Sequence, residues 1–256
     1  MKISQYILEA PTPKLTDAIT VDESCLILPD VEVPYQHAQF INKCISVAKE
    51  RKIKTLILPG DAFHWAALAH FPAADKDLLA EVEMIEDLIV GFLDPFERVK
   101  RFRGNHDARM EKSLDRLLPQ KYADRIVMNG ATLKEWERKV ETSDRYWCWV
   151  GEGENRWRIS HPRSTGSVPG NPARRMAEKF GCNFAMAHNH LVGMQQTQDG
   201  KHYGVEMGCC VDPERLAYSQ DRDVTRPKMK LGALILEKHG NEFYPTLLAD
   251  GWHWFG

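Results

Sequence analysis

The chain has 256 residues, of which 43% are hydrophobic, and a formal net charge of −2. That apolar content supports one large core, so a single domain is expected, and a charge this close to zero excludes a global field that draws the chain to nucleic acid or membrane. No stretch approaches the roughly 18 apolar residues that span a bilayer, and Met1 to Glu9 lacks the cationic start and long apolar run of a secretory leader.

Taken in chain order, residues 1–22 are polar, interrupted by Pro11 and Pro13, and read as an N-terminal extension or edge segment, leaving 23–256 as the domain. Cys25-Leu26-Ile27-Leu28 predicts a buried strand that ends at Pro29-Asp30. Ala38 to Arg51 carries Phe40, Ile41, Cys44, Ile45 and Ala48 at helical spacing. Thr55 to Leu58 predicts a second strand, closed by Pro59-Gly60-Asp61, and Asp75 to Phe92 an amphipathic helix with Leu78, Leu79, Val82, Ile85, Ile89 and Phe92 on one face. Val99 to Phe102 then leads into Gly104-Asn105-His106-Asp107. Each of these strands delivers polar residues at its carboxyl end, the edge where open α/β sheets bind ligands.

The second half is different in character. Residues 108–142 are charged and helical and form a candidate cap. Strands are expected at Tyr146–Val150, Trp157–Ser160, Phe184–Ala187, Tyr203–Met207 and Leu231–Leu236, and a helix over Pro172–Phe180 with proline near its first turn. Trp147, Trp149 and Trp157 sit in strand patterns, where core packing is the default. The six cysteines include no C-x-x-C pair, which gives zinc-ribbon and thioredoxin readings no support; several unpaired thiols fit a reducing, cytoplasmic compartment.

Asp, Asn and His bind metals through oxygen or imidazole nitrogen. They recur here as Asp30, Asp61, Asn105, His106, Asp107, His161, His188 and His190, three of the segments following strand-like runs. A paired metal site of that composition suits hydrolysis of phosphate esters. In order, the segments are Asp30-Val31-Glu32, Gly60-Asp61, Gly104-Asn105-His106-Asp107, the lone His161, and Ala187-His188-Asn189-His190. This series resembles the calcineurin-like metallophosphoesterase superfamily, whose blocks run D-x-H, G-D, G-N-H-[DE], His and G-H-x-H. The resemblance spans roughly residues 24–210, and the ordered set is far more specific than any one block.

The resemblance implies an α/β fold of two facing β-sheets flanked by helices, in a single domain. It implies a dinuclear, metal-dependent phosphoesterase, with Asp30, Asp61 and His190 on the first ion. Asp61 would bridge to the second ion, completed by Asn105, His161 and His188. His106 would stabilise or protonate the leaving oxygen, and Asp107 would orient its imidazole. The expected substrate is a phosphodiester, with nucleotides and nucleic acid among the candidates. A DNA or RNA nuclease on the same site is the alternative enzyme. A catalytically silent scaffold is the alternative of another class, disfavoured by the presence of His106.

Two positions depart from the pattern. Ala187 stands for the glycine of the last block, a mild change unless that backbone needs positive φ. Glu32 stands for the histidine of the first; as a hard oxygen ligand it favours Mn²⁺ or Mg²⁺ over Zn²⁺. Mn²⁺ is thus the expected ion, with Mg²⁺, Fe, Ni²⁺ and Zn²⁺ as alternatives and His37 as a substitute ligand. The wording D-V-E-V-P-Y-Q-H from Asp30 to His37 is similar to that of phage-encoded members. His64, in G-D-A-F-H, resembles the G-D-L-F-H stretch of recombination-repair nucleases, whose extra histidine lies near the substrate phosphate. Arg109 and Arg163 are candidates to hold that phosphate bidentately. Arg98, Lys100, Arg101 and Arg103 form either a basic track or the solvated side of a strand.

Overall fold

The computed structural model describes residues 17–68, 81–84, 91, 93–109, 130–216 and 229–251. Their strands form two mixed sheets of six. One contains β2 (Cys25–Ile27), β3 (Thr55–Pro59), β4 (Arg98–Phe102) and β5 (Val140–Ser143) as parallel neighbours. It continues beyond β2 through antiparallel β11 (Gly232–His239) and β12 (Glu242–Ala249). The other runs in the order β1 (Thr20–Val21), β6 (Trp147–Val150), β7 (Trp157–Ser160), β8 (Asn183–Met186), β10 (Tyr203–Met207), β9 (Val192–Gln196).

Side-chain alternation explains why the sheets face each other. Successive residues of a strand point to opposite faces. Cys25, Ile27, Ile57, Phe102, Leu234 and Leu236 therefore meet Cys148, Val150, Trp157, Ile159, Ala185, Val205 and Met207 in one core between the sheets. Their sequence neighbours Leu26, Leu28, Leu56, Leu58, Ala233 and Ile235 turn outward into a second core. Helix α1 (Ala38–Glu50) closes that core with Phe40, Ile41, Cys44, Ile45 and Ala48, the residues its periodicity marks. Helix α2 (Gly130–Lys139) adds Trp136 on the same side. Across the molecule, α3 (Asn171–Phe180) lays Ala173 and Ala177 on Phe184 and Met186 of β8. The result is the four-layer helix–sheet–sheet–helix sandwich that the resemblance implies, in one domain. Each fully buried aliphatic side chain stabilises it by about 1.5–3 kcal/mol.

Two boundaries move and two strands are added. Ile19 and Val21 are buried and β1 pairs in parallel with β6 at the end of its sheet, so residues 17–22 are an edge segment of the sandwich, the second of the two readings, and not an extension. The end of the candidate cap, Val140–Thr142, is likewise sheet, paired with Val99–Arg101 of β4. β9 and β12 have no counterpart among the predicted strands. Both are edge strands with polar or half-buried sequences, and Pro245 is tolerated in β12 because its outer side is unpaired. Within the helix expected over Asp75–Phe92, residues 81–84 and 91 are helical; its other residues, and 110–129 of the cap, lie outside the described residues. Among the described residues, no helix is long and apolar enough to cross a membrane, and all six cysteines are free and buried.

Candidate metal centre

Five strands end at one place. β2 leads to Asp30, β3 to Gly60-Asp61, β4 to Gly104–Asp107, β7 to His161 and β8 to His188–His190. The chain then turns sharply, and the turns put Asp30, Glu32, Asp61, His188 and His190 in the left-handed region, with φ between 44° and 79°. Non-glycine residues rarely adopt that conformation, and a bend held there fixes where the side chain leaves the backbone. Gly60 and Gly104 let two of these turns pack on each other. A β-carbon on Gly104 would lie 2.1 Å from Asp61 Oδ1, and one on Gly60 would lie 2.7 Å from the Gly104 Cα and 2.8 Å from His161 Nδ1.

The donors fall into clusters. Asp30 Oδ1 and Glu32 Oε1 each stand 3.3 Å from His190 Nε2. Asp61 Oδ2 stands 3.2 Å from His161 Nε2, which is also 3.0 Å from Asn105 Oδ1, with the His188 ring against that of His161. The two groups adjoin, Asp30 Oδ1 lying 3.9 Å from His161 Nδ1. The His161 Nδ1–H is donated to the Pro59 carbonyl at 3.0 Å, a hydrogen bond that fixes the ring and leaves Nε2 to ligate. Asp30 Oδ2 accepts the main-chain N–H of His188 at 2.9 Å, joining the first turn to the last.

These residues fit divalent metal ions. Three carboxylates are buried together, and Asp30 Oδ1, Glu32 Oε1 and His106 Nδ1 are buried without a hydrogen-bond partner. Two buried carboxylates that share one imidazole leave part of their desolvation cost unmet, and a cation in contact with those atoms lowers that cost. The electrostatics agree. Burial raises the Glu32 pKa, but the imidazoles of His106, His190 and His64 outweigh it and hold the carboxyl well below its usual range. Burial likewise opposes ionisation of Asp61, and His161 and His106 overcome it. Asp30, Glu32 and His190 form one possible ligand group, and Asp61, His161 and His188 a second.

Other expected residues divide. His64 is buried, its Nδ1–H donated to Glu32 Oε2 at 2.5 Å and its ring edge-on to His106 and Tyr35. Arg109 adjoins it, donating to the His64 carbonyl. Arg163 is exposed beyond His161. His37 accepts the Phe40 N–H through Nδ1 and caps α1, and it lies in none of the possible ligand groups among the described residues. Ala187 is buried and has no positive φ, so its backbone does not need the glycine it replaces.

Asp107 corrects an expectation. Its Oδ2 accepts the main-chain N–H groups of Asp61 at 3.0 Å and Gly104 at 2.8 Å, and its Oδ1 pairs with Arg101 at 2.9 Å. It thus ties the β3 and β4 turns together and does not orient the His106 imidazole. Glu32 Oε2 comes nearest to that ring, 3.5 Å from His106 Nδ1, without a hydrogen bond to it. The basic run is no track either. Arg98 pairs with Glu23, Lys100 with Glu141, and Arg101 is buried over the Phe63 ring. Trp157 is core, but Trp147 and Trp149 are half-buried under Arg158 and Arg156.

Sequence reasoning missed Glu206. Fully buried on β10, it accepts the Gly170 N–H at 2.5 Å and the side-chain amide of Asn189, the residue between His188 and His190. Its only signal is a carboxylate inside an otherwise apolar strand. Met229 was missed too: its sulfur accepts from His190 Nδ1 at 3.3 Å.

No protein-family model matches the chain, and no curated protein does. Solved structures do. A novel archaeal phosphodiesterase is 15% identical, with 88% of this chain and 99% of that one covered and a TM-score of 0.44. Vps29 of Chaetomium thermophilum is 12% identical, with 89% and 96% covered and a TM-score of 0.43. The E. coli phosphoesterase YfcE is 12% identical, with 88% and 98% covered and a TM-score of 0.40. With identities this low, the chemistry of this chain rests on its own residues.

Proposed function

We propose that the protein is a divalent-metal-dependent phosphoesterase that hydrolyses a phosphodiester with a pair of ions. Asp30, Glu32 and His190 would hold the first, Asn105, His161 and His188 the second, and Asp61 would bridge them. The observation that supports this most is the convergence of three buried carboxylates and three imidazoles, with carboxylate oxygens unpartnered, at the carboxyl ends of five strands. Bound there, divalent ions supply Lewis-acid assistance to phosphoryl oxygens and a water acidic enough to ionise near neutral pH.

The chain's own groups supply the rest. The main-chain N–H of His106 is donated to Asp61 Oδ1 at 2.6 Å, which fixes its turn against the bridging carboxylate. Its ring Nε2 lies 3.9 Å from Asp61 Oδ2, beside the centre, where it can hand a proton to a departing alkoxide. That donor supports an ester with a poor leaving group, as in a phosphodiester of two alcohols. Arg109, anchored on the His64 carbonyl, sets a guanidinium nearby for a phosphate oxygen.

The test is turnover of a chromogenic phosphodiester and its monoester counterpart by metal-stripped protein, with Mn²⁺, Mg²⁺, Ni²⁺ or Zn²⁺ restored. Activity is expected with Mn²⁺, faster on the diester, and lost in His106→Ala. A folded protein inactive with every ion on both esters overturns the reading in favour of a silent scaffold.

A further inference from the structure

Glu32 faces two ways. Its Oε1 turns to His190, as a ligand of the first ion would, but its Oε2 turns to His64 and His106. We propose that Glu32, His64 and His106 form a third cation site, separate from the ion pair and suited to Zn²⁺ or a similar borderline cation. All three residues are buried, and one donor atom from each lies within 4.8 Å of the others. Nothing in the two-ion arrangement uses His64, and none of it accounts for His106 Nδ1, which is buried and unpartnered 3.5 Å from Glu32 Oε2.

The donor set decides the kind of ion. Two imidazoles and one carboxylate with a fourth position open is a ligand set that Zn²⁺ takes, whereas the ion pair sets the oxygens of Asp30, Glu32, Asp61 and Asn105 beside three imidazoles and so has the larger share of hard donors. With bonds of about 2.0–2.2 Å, tetrahedral donors stand roughly 3.3–3.6 Å apart. Glu32 and His106 already have that spacing, while the 2.5 Å contact of Glu32 with His64 would open as a cation replaced the shared proton.

The residue at position 32 makes the site. A histidine there offers a metal one nitrogen, but a carboxylate offers two oxygens and can join neighbouring cations. His64 is held in place from outside, its ring against Tyr35 and its carbonyl bound by Arg109. A cation on His106 Nδ1 would also fix the ring tautomer, leaving the proton on Nε2, the nitrogen nearer Asp61.

Metal-free protein, dialysed against Zn²⁺ and Mn²⁺ together, is analysed for ions bound per chain by elemental analysis. Three are expected in the natural chain, with Zn²⁺ among them, and two, without that Zn²⁺, in His64→Ala. His64→Phe, which refills the space beside Tyr35, is expected to match His64→Ala if the fold is kept, as thermal unfolding in metal-free buffer checks. Two ions in the natural chain, or the same count in it and both variants, overturns the third site. Asp61→Asn separates this proposal from the ion pair: it removes the bridging carboxylate, so an unchanged count there overturns the two-ion reading and leaves the His64 comparison to stand by itself.

Discussion

Gly104 lies so close to Asp61 that a β-carbon at 104 would stand 2.1 Å from Asp61 Oδ1 and 2.3 Å from its main-chain nitrogen. The methyl group of Gly104→Ala therefore displaces the carboxylate expected to bridge two ions. Overpacking of this kind costs about 1–3 kcal/mol. We expect a lower unfolding midpoint in urea and loss of metal uptake by calorimetric titration. Metal affinity equal to the natural chain's would refute the coupling.

Arg101 and Asp107 are a buried ion pair behind the same turns, with no solvent exposure of either side chain. Removing one partner of such a pair costs about 3–5 kcal/mol, because the other charge stays buried. Arg101→Leu should lose that much in chemical denaturation. His106→Ala, by contrast, should abolish turnover with little change in stability, since the His106 side chain makes no comparable structural tie. Equal stability losses in the two variants would contradict these assignments.

Burial pushes the His161 imidazole toward its neutral form, but Asp61 and Asp30 more than offset it and raise its pKa to about 9. His190 is also held well above its ordinary value, burial being outweighed by nearby acidic groups that include Asp30 and Glu32. A folded pKa above the free value of 6.5 means that His161 stabilises the metal-free fold fully below pH 6.5. That contribution fades as pH rises through about 9. A cation must displace the proton, so metal affinity should climb with pH toward that value. Titration at pH 7.5 in buffers of different ionisation enthalpy should reveal proton release on binding; none would count against imidazole ligation.

Glu206 connects the ligand turn to the loop before α3 through Asn189 and Gly170. Burial raises its pKa despite those two hydrogen bonds. Glu206→Ala takes the partner from the Gly170 N–H and leaves Asn189 only its bond to the Gly166 carbonyl, which loosens the turn between His188 and His190. Groups that orient metal ligands in this way are worth roughly 10–100-fold in affinity. A weakening of about tenfold is expected, with Glu206→Gln in between; unchanged affinity in Glu206→Ala would show that the turn holds itself.

Glu32→His restores the residue that the resembled pattern carries. It removes a hard oxygen donor and one negative charge, so the preferred ion should move from Mn²⁺ toward Zn²⁺. Ion content after dialysis against an equimolar mixture, compared in a His64→Ala background so that only the ion pair is read, measures this, and an unaltered preference would mean that Glu32 does not ligate.

The convergence of the candidate ligands was legible because they follow strands whose apolar runs are unambiguous: Leu26 to Leu28 and Leu56 to Leu58 are bounded by proline and glycine, and Trp157–Ser160 matches its predicted span. Edge strands were not, since β9 and β12 bury only part of their surface and carry no clean alternation. At the site, the sequence names Asp107 and Glu32 but is silent on their partners. Asp107 serves backbone N–H groups that only folding brings within reach, and Glu32 meets histidines 32, 74 and 158 positions away in the chain. Such pairings are set by the packing of turns, which no local pattern encodes.

The left-handed backbone at Asp30, Asp61, His188 and His190 narrows what those positions can ever become. Besides glycine, the residues that tolerate such bends best are asparagine, aspartate and histidine, the same few that bind metals. Conformation and the proposed coordination therefore call for the same small alphabet at these sites. Glu32, at φ 48°, is outside that alphabet. A longer side chain gains no local relief from the bend, which costs about 1–2 kcal/mol, so only its carboxylate's neighbours can account for its place there.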